Sequence, residues 1–546
     1  ADSNGYSIDA PRSIWKYRDW VVNSLNADLP FDRFTIEQLA GDLLPDAGEA
    51  QRIATGFHRN TPLNQEGGID VEQFRIDSVI DRVGTTGTVW LGLTVGCAQC
   101  HDHKFDPITQ KEFYRMFAFF NNQEEPTMKV SDPSRDEAKL AAAVRDADQA
   151  LSTFLDQRAP ALQQWETTLT KAETAKLSGP AKAALRKPAA KRNVTERALL
   201  FAASPGATDK TFKALQKKAK DAADLRDGGP TTLVLKELAK PRKTHLLTAG
   251  DFTRPAEEVT PGVLGVLHAF KPDQGSVDRL DLARWIVSKD NPVTARVIAN
   301  RVWQAYFGRG LVETENDFGS QGTTPSHPEL LDWLAVEFVE RGWSLKSLHR
   351  TIVHTRAYRR DSANRADLTA KDPDNRLLAR QTRLRLDAEL VRDSALVASG
   401  LLTHKVGGPP VYPPIPDGVM SLGQVKRVWN TSKGEDRTRR GLYTFTYRVT
   451  PPPAFAVFDA PDGLSTCTRR NRSNTPLQAL TLLNDPAYFE AAQALAKVIE
   501  KEGLATAFRR CTSRAPEAAE LAVLSPLDRL SAARALLNLD ETITRD

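Results

Sequence analysis

The chain has 546 residues, more than a single hydrophobic core serves, so two to four domains are expected. Its 74 basic and 69 acidic residues leave a net charge of +5, which argues against a dedicated nucleic-acid binder. No apolar run reaches the roughly 18 residues of a membrane-spanning helix, so no transmembrane segment is predicted.

Residues 1 to about 125 form the first predicted region, which is rich in aromatic and acidic residues. Apolar residues recur at helical spacing in IWKYRDWVVNSL and in VEQFRIDSVIDRVGTTGTVWLGL. The segment KEFYRMFAFFNN predicts an amphipathic helix that ends at Asn121 and Asn122. Residues 126 to about 245 differ, because alanine and lysine dominate there and indicate a helical hairpin or spacer with solvated lysines.

Residues 246 to 546 predict a further helical domain with proline-rich loops. SHPELLDWLAVEFVERG is typical of its amphipathic helices, with Ser326 as N-cap and Gly342 as C-terminal stop. GLYTFTYRV, between two proline-rich segments, is the best strand candidate. The predicted fold class is mainly α, a multi-domain helical protein with minor β elements in the C-terminal region.

The motif GCAQCHDHKFDP, residues 96–107, carries the clearest chemical signal. Cys97, Cys100 and His101 form C-x-x-C-H, the spacing with which two thiols bind the vinyl groups of haem c while the histidine binds its iron. A zinc or non-haem iron site is the first alternative, although neither Cys467 nor Cys511 lies in a second C-x-x-C pair. A disulfide or another structural role is the second.

Several long sequence segments resemble the sequences of one protein family. DRVGTTGTVWLGLTVGCAQCHDHKFDPITQKEFYRMFAFFNN and RRNRSNTPLQALTLLNDPAYFEAA closely resemble the planctomycete cytochrome-associated proteins, in which domain of unknown function 1549 precedes domain of unknown function 1553. The resemblance covers roughly residues 1 to 125 and 275 to 530. These regions correspond to the first and third predicted regions.

The resemblance implies a protein that is periplasmic or otherwise exported. Relatives commonly carry a secretion signal and a separate cytochrome c domain ahead of the point where this chain begins, so the chain resembles an N-terminally truncated copy. That missing cytochrome c domain is the implied electron-transfer partner. Relatives also resemble exported proteins of bacteria rich in polysaccharide-degrading genes, which implies a role in processing complex glycans. The family name itself implies no reaction.

The second ligand of the haem iron is predicted to lie outside the motif. His103 lies two residues from His101 and would have to reach the opposite face of the same macrocycle. His58 is free of that constraint, so His101 and His58 are the predicted metal ligands, with an open iron site or a methionine as alternatives. A hydrogen-bonded structural role is the other interpretation of His58.

Acidic residues near the motif form a candidate catalytic group. Asp102, His103 and Asp106 follow the cysteines, and Glu66 lies in NQEGGID. Together they could transfer protons if the fold brings them around one pocket. Each acid by itself is more typical of a helix cap or a surface charge.

Arginines in the C-terminal region indicate an anionic ligand. Guanidinium groups bind sulfate and carboxylate, and aromatic faces stack on sugars, so an anionic glycan is the predicted ligand. The predicted binding residues are Arg437, Arg440, Arg469, Arg472 and Tyr443. The alternative is that these arginines pair with local acids such as Glu435, Asp436 and Asp459. A disulfide between Cys467 and Cys511 is left open.

Three function classes follow from these observations. The leading hypothesis is an exported c-type haem protein that acts in electron transfer or haem-dependent oxidation, linked to the processing of sulfated or acidic polysaccharides. The second is a hydrolase or lyase-like enzyme whose cysteines hold zinc or non-haem iron. The third is a noncatalytic glycan-binding or scaffold protein.

Overall fold

Helices dominate the computed structural model, which describes residues 2–132, 135–273, 275–422 and 424–545. The chain is 53% helical and 5% strand, so the mainly α fold class is confirmed. It separates into two units: the first holds residues up to 127 and from 232 onward, and the second holds residues 128–231. Across the described ranges, no helix combines the length and the apolar character needed to cross a membrane.

In its described residues, the N-terminal part of the first unit contains five α-helices, and side-chain caps fix the starts of the last two. Asp70 accepts hydrogen bonds from the amides of Glu72 and Gln73, and Thr109 forms a reciprocal capping box with Glu112. The last helix ends at Asn121, as predicted. The bounds are α1 Trp15–Asn26, α2 Phe31–Ala40, α3 Glu49–Ala54, α4 Val71–Thr86 and α5 Gln110–Asn121.

The second unit is helical and has a small core of its own. Phe154, Phe201 and Phe212 pack together there, with ring centroids 4.7 to 6.2 Å apart. Lys213 and Lys217 are exposed, which agrees with the predicted solvated lysines. The bounds are α6 Glu137–Gln157, α7 Ala159–Thr168, α8 Lys171–Lys176, α9 Gly179–Leu185, α10 Val194–Ala203 and α11 Lys210–Asp227.

The rest of the first unit contains further helices. The helix Pro328–Glu340 has His327 as its N-cap rather than the predicted Ser326. Gly342 follows the end of this helix with a positive φ, as predicted. The bounds are α12 Arg279–Ile286, α13 Thr294–Phe307, α14 Pro328–Glu340, α15 Leu345–Val353, α16 Ala366–Thr369, α17 Ala388–Ser399, α18 Pro453–Val457, α19 Pro476–Asn484, α20 Pro486–Glu502, α21 Leu504–Thr512, α22 Ala518–Leu524 and α23 Arg529–Leu537.

The strands are short and are spread along the chain from residue 123 to residue 545. Antiparallel pairing joins β1 to β4, β5 to β6, and β7 to β8. The bounds are β1 Gln123–Glu124, β2 Thr127–Lys129, β3 Thr231–Leu233, β4 Lys236–Glu237, β5 Thr244–Leu247, β6 Pro255–Val259, β7 Leu384–Arg385 and β8 Thr544–Arg545.

The strand predicted in GLYTFTYRV is wrong. Tyr443, Phe445 and Tyr447 are buried in the alternating pattern that suggested it. However, the segment starts with a 3-10 turn, and only an isolated bridge joins Thr444 to Val411. The neighbouring segment is rich in proline, which lacks the N–H groups that a strand ladder needs.

Two hydrophobic clusters organise the first unit. The larger one combines side chains of α2, α4 and α5 with those of α12, α13 and α14, so residues on both sides of the second unit in sequence share one core. The smaller one lies among α17, α20, α21 and α23. The motif loop between α4 and α5 borders the larger cluster through Val95 and Ala98.

Candidate functional site

The C-x-x-C-H motif begins on a 3-10 helix, Val95–Gln99, between α4 and α5. Residues three apart lie on the same face of a 3-10 helix. Val95 and Ala98 therefore both enter the core, where they are 1% and 0% exposed. Cys97 and Cys100 lie on another face and are both exposed. The local geometry thus presents two thiols together on an accessible surface.

Tertiary contacts hold this short helix in place. The Tyr114 hydroxyl donates to the carbonyl of Gln99 at 3.0 Å, and the side-chain amide of Gln110 donates to the same carbonyl at 3.0 Å. Gly250 packs against Cys100, and a Cβ at this position would lie 2.8 Å from the Cys100 sulfur. A glycine is therefore required for the close approach, and Cys100 is fixed by its surroundings.

His101 is exposed, and only one of its ring nitrogens is engaged. Nδ1 lies 2.6 Å from the carbonyl oxygen of Asp102, and because a carbonyl can only accept, Nδ1 carries a proton. Nε2 has no hydrogen-bond partner within the described residues. Metal-binding histidines are usually oriented in this way, with one N–H donated to a carbonyl. The three motif residues therefore fit covalent haem attachment, with His101 as an iron ligand.

His103 and Asp106 hold the following loop closed. Nδ1 of His103 accepts from the amide of Asp106 at 2.8 Å, so the proton is on Nε2, which lies 3.1 Å from the hydroxyl of Thr94. The side chain of Asp102 accepts from the amide of Gln110 at 2.8 Å, at the start of α5. These contacts give all three residues a role in positioning the loop.

Glu66 is held at a different place. It accepts a hydrogen bond from the amide of Ser7 at 3.0 Å, and its own amide donates to Asn64. Among the residues described, no hydrogen bond or ion pair joins Glu66 to the loop of His103. The hydrogen bonds of Glu66 are with Ser7 and Asn64 rather than with the other three predicted catalytic residues, and the catalytic role of all four stays a prediction.

His58 lies in the core, between aromatic rings. Its ring centroid is 5.1 Å from that of Phe57 and 4.9 Å from that of Phe120, and the residue is 2% exposed. Neither ring nitrogen has a hydrogen-bond partner within the described chain. Burial, together with the charges of Arg82 and Arg279, holds the pKa of His58 well below its ordinary value.

Within the ranges that the structure describes, His58 and the motif residues do not line a shared cavity. A cavity of about 340 Å³ borders His58, but Cys97, Cys100 and His101 are not among its lining residues. His58 as a second iron ligand stays a prediction.

The other cysteines do not extend the motif. In the described ranges, no group of three or more His, Cys, Asp or Glu side chains is arranged to hold a metal ion. All four cysteines are unpaired; Cys467 is exposed, and Cys511 is buried in α21, where burial raises the pKa of its thiol to about 12. The structure therefore contains no Cys467–Cys511 disulfide.

Two of the predicted glycan-binding arginines are hydrogen-bonded to carboxylates. Nε of Arg437 lies 3.0 Å from both carboxylate oxygens of Glu490, and Nε of Arg440 lies 2.7 Å from Asp393. Tyr443 is 2% exposed, so its ring face is not available to a sugar. The loop-holding alternative fits these residues. The principal partners differ from those expected, which were Glu435, Asp436 and Asp459.

The other two predicted arginines line a cleft of about 360 Å³. Trp303 and Phe307 of α13 contribute apolar surface to it. We call this the arginine cleft, because its lining contains five arginines but only two acids. The charged lining residues are Arg309, Arg376, Arg469, Arg470, Arg472, Glu313 and Asp374.

The loop that carries Arg469 and Arg472 is anchored by its other residues. Arg470 forms a two-point ion pair with Glu389 of α17, at 2.5 and 3.1 Å. Asp459 accepts from both the amide and the hydroxyl of Ser473, at 2.8 and 2.7 Å. The loop is thus fixed to the smaller core while Arg469 and Arg472 line the cleft.

Arg309 and Arg376 were not predicted as binding residues. Arg376 is 93 positions before Arg469, and its segment KDPDNR shows only the composition of a turn. The sequence signal available was therefore the positive charge itself, which many surface residues share. Only the fold brings these segments to one cleft.

The comparisons with known proteins give two family matches. Residues 1–125 match PSCyt2, protein of unknown function (DUF1549), and residues 278–527 match PSD1, protein of unknown function (DUF1553). No curated protein and no solved structure matches the chain. The C-x-x-C-H motif and His58 lie in the first match, and the arginine cleft lies in the second.

Proposed function

Because the chain belongs to the proteins in which a PSCyt2 domain precedes a PSD1 domain, we propose that it is an exported c-type haem protein acting in electron transfer or haem-dependent oxidation. The observation that carries the proposal is the motif surface: two accessible thiols and an exposed imidazole whose Nε2 is unengaged. These are the groups that covalent haem attachment uses.

Each motif residue has a distinct role in this proposal. Cys97 and Cys100 would hold the haem through thioether bonds, and Nε2 of His101 would bind its iron. The hydrogen bond from Nδ1 to the Asp102 carbonyl fixes the ring orientation and leaves Nε2 free to bind a metal. When bound, haem supplies a one-electron redox centre. His103 and Asp106 keep the loop rigid, which limits reorganisation around the motif.

The proposed context is the processing of sulfated or acidic polysaccharides outside the cytoplasm, with a cytochrome c domain as electron-transfer partner. Arg469 and Arg472 support the anionic ligand, since both line the arginine cleft. A noncatalytic glycan-binding protein is the second candidate, because that cleft requires no redox chemistry. A metal-dependent hydrolase has less support, since Asp102 and Asp106 are engaged in hydrogen bonds that hold the loop.

Coexpression with a bacterial haem-attachment system tests the proposal. The purified chain should give a haem-stained band that survives denaturation, because thioether bonds are covalent. Cys97→Ala combined with Cys100→Ala should abolish the band, whereas Cys467→Ala should retain it, since that exposed cysteine lies outside the motif. A colourless wild-type protein that contains zinc would overturn the haem proposal.

A further inference from the structure

Three arginines at the arginine cleft have guanidinium groups that are not hydrogen-bonded to a carboxylate. Nε of Arg469 is 3.9 Å from Glu315, and Nη2 of Arg472 is 3.6 Å from Asp387, both beyond hydrogen-bond distance. The Arg376 side chain is exposed and makes no ion pair or hydrogen bond in the described part of the chain. Their N–H donors therefore remain available to a ligand.

The loop beneath Arg376 is braced by its own polar residues. The carboxylate of Asp372 accepts from the amides of Arg376 and Leu377, at 2.9 and 2.8 Å. Asn375 is buried, and its side chain exchanges hydrogen bonds with both backbone groups of Arg380. The backbone that carries Arg376 is thus fixed before any ligand binds, which lowers the entropy cost of binding.

The acids of the cleft do not compete strongly for these three arginines. Glu313 pairs with Arg309 at 2.8 Å, and Asp374 lies 3.9 Å from the same arginine. A ligand with two or more negative charges can bind to more than one of these guanidinium groups, whereas a ligand with a single charge engages fewer of them. The volume of about 360 Å³ lies within the range of small-molecule sites.

We propose that Arg376, Arg469 and Arg472 form a binding site for a sugar-sized ligand that carries at least two oxyanion groups. Sulfate, phosphate and carboxylate share the chemistry that guanidinium groups recognise. The site deepens the anionic-ligand part of the proposed function, on which it rests. It also assigns recognition to the arginine cleft rather than to Arg437 and Arg440.

Calorimetric titration of the full chain tests this site. The probes are a disulfated disaccharide, its monosulfated and unsulfated counterparts, a sugar bisphosphate and a dicarboxylate, each at low and high salt. The disulfated and bisphosphorylated probes should bind more tightly than the monosulfated one, and added salt should weaken their binding. The relative affinities of the sulfate, phosphate and carboxylate probes identify the source of the oxyanion groups.

Substitutions then assign the binding to the cleft. Arg376→Gln should weaken binding about tenfold or more, because charge-assisted hydrogen bonds are lost. Its folding should be unchanged, since the side chain has no partner to lose. Arg469→Gln with Arg472→Gln should weaken binding further. Arg509→Gln is the matched control, because Arg509 is exposed, outside the cleft and without an ion pair in the described chain.

The outcomes separate this inference from the proposed function. Equal loss in Arg376→Gln and Arg509→Gln would show general surface attraction and overturn the site. Binding of a long acidic polysaccharide that none of the cleft substitutions affects would also overturn it, while leaving the polysaccharide link intact. Tight binding by a protein that attaches no haem would support the site and overturn the haem proposal.

Discussion

The carboxylate of Asp106 accepts two hydrogen bonds from Ser320, one from the amide at 2.7 Å and one from the hydroxyl at 2.8 Å. Gly319 allows this approach, because a Cβ there would lie 2.3 Å from an Asp106 oxygen. Asp106 is in the region that matches PSCyt2, and Ser320 is in the region that matches PSD1. This loop contact therefore joins the two family-matched regions. The motif loop is therefore positioned by a distant part of the chain.

Asp106→Ala should destabilise the protein. It removes two charge-assisted hydrogen bonds from a buried carboxylate, so the free energy of unfolding should fall by about 2 to 4 kcal/mol. Urea denaturation followed by circular dichroism measures this change. Asp102→Ala is the control and should cost less, since Asp102 is exposed and makes one hydrogen bond. Unchanged stability in Asp106→Ala would contradict the positioning role.

Arg279→Met should have a larger effect. The Arg279 side chain is fully buried, and it binds both carboxylate oxygens of Asp42, at 2.7 and 2.9 Å, and Glu237 at 3.0 Å. Removing the guanidinium leaves the largely buried carboxylate of Asp42 and the partly buried carboxylate of Glu237 without this counter-charge, which costs about 3 to 5 kcal/mol. Denaturant unfolding measures the loss. Arg529→Met is the control, because the pair of Arg529 with Glu500 is exposed.

His58 should make stability depend on pH. Its folded-state pKa lies well below 6.5, the value expected for the unfolded chain, so between these values only the unfolded state is protonated at this site. Above about pH 6.5 the imidazole is neutral in both states, so the free energy of unfolding has its full value. As pH falls, protonation of the unfolded state lowers the free energy of unfolding. Between pH 7 and pH 5 the loss should reach up to about 2 kcal/mol.

His58→Leu should remove that part of the pH dependence. Comparing the unfolding free energies of the variant and the wild type at pH 7, 6 and 5 isolates the contribution, because other groups titrate in both proteins. His354→Leu, at an exposed position, should retain the wild-type slope. Parallel pH profiles for wild type and His58→Leu would show that the imidazole is not buried in its neutral form.

Thiol labelling should distinguish the four cysteines. In the haem-free protein, Cys97, Cys100 and Cys467 are exposed and should react, whereas Cys511 should react only after unfolding, because it is buried with a pKa near 12. Mass spectrometry should therefore count three labels on the native chain. After haem attachment only Cys467 should label. Two additional labels on a haem-stained protein would contradict thioether bonding.

The sequence by itself determined the helical fold class, the end of α5, the family and the C-x-x-C-H motif. These features depend on residues close together in the chain: apolar spacing and capping act within a few turns, and a motif is contiguous. The two thiols lie near each other because Cys97 is on a short 3-10 helix and Cys100 directly follows its end, which is a local arrangement. The strand expected at residues 441–449 does not form, because a strand also needs a partner segment with N–H donors, which the local sequence does not specify.

Only the tertiary structure decided the roles of single charged and polar residues. Arg437 and Arg440 looked equivalent to Arg469 and Arg472 in sequence, but Glu490 and Asp393 engage the first two, while the other two line a cleft with Arg376. His58 became a core residue because Phe120 packs over it. Ion pairs and burial depend on which segments the chain topology brings within a few ångströms, and that information lies in no local pattern.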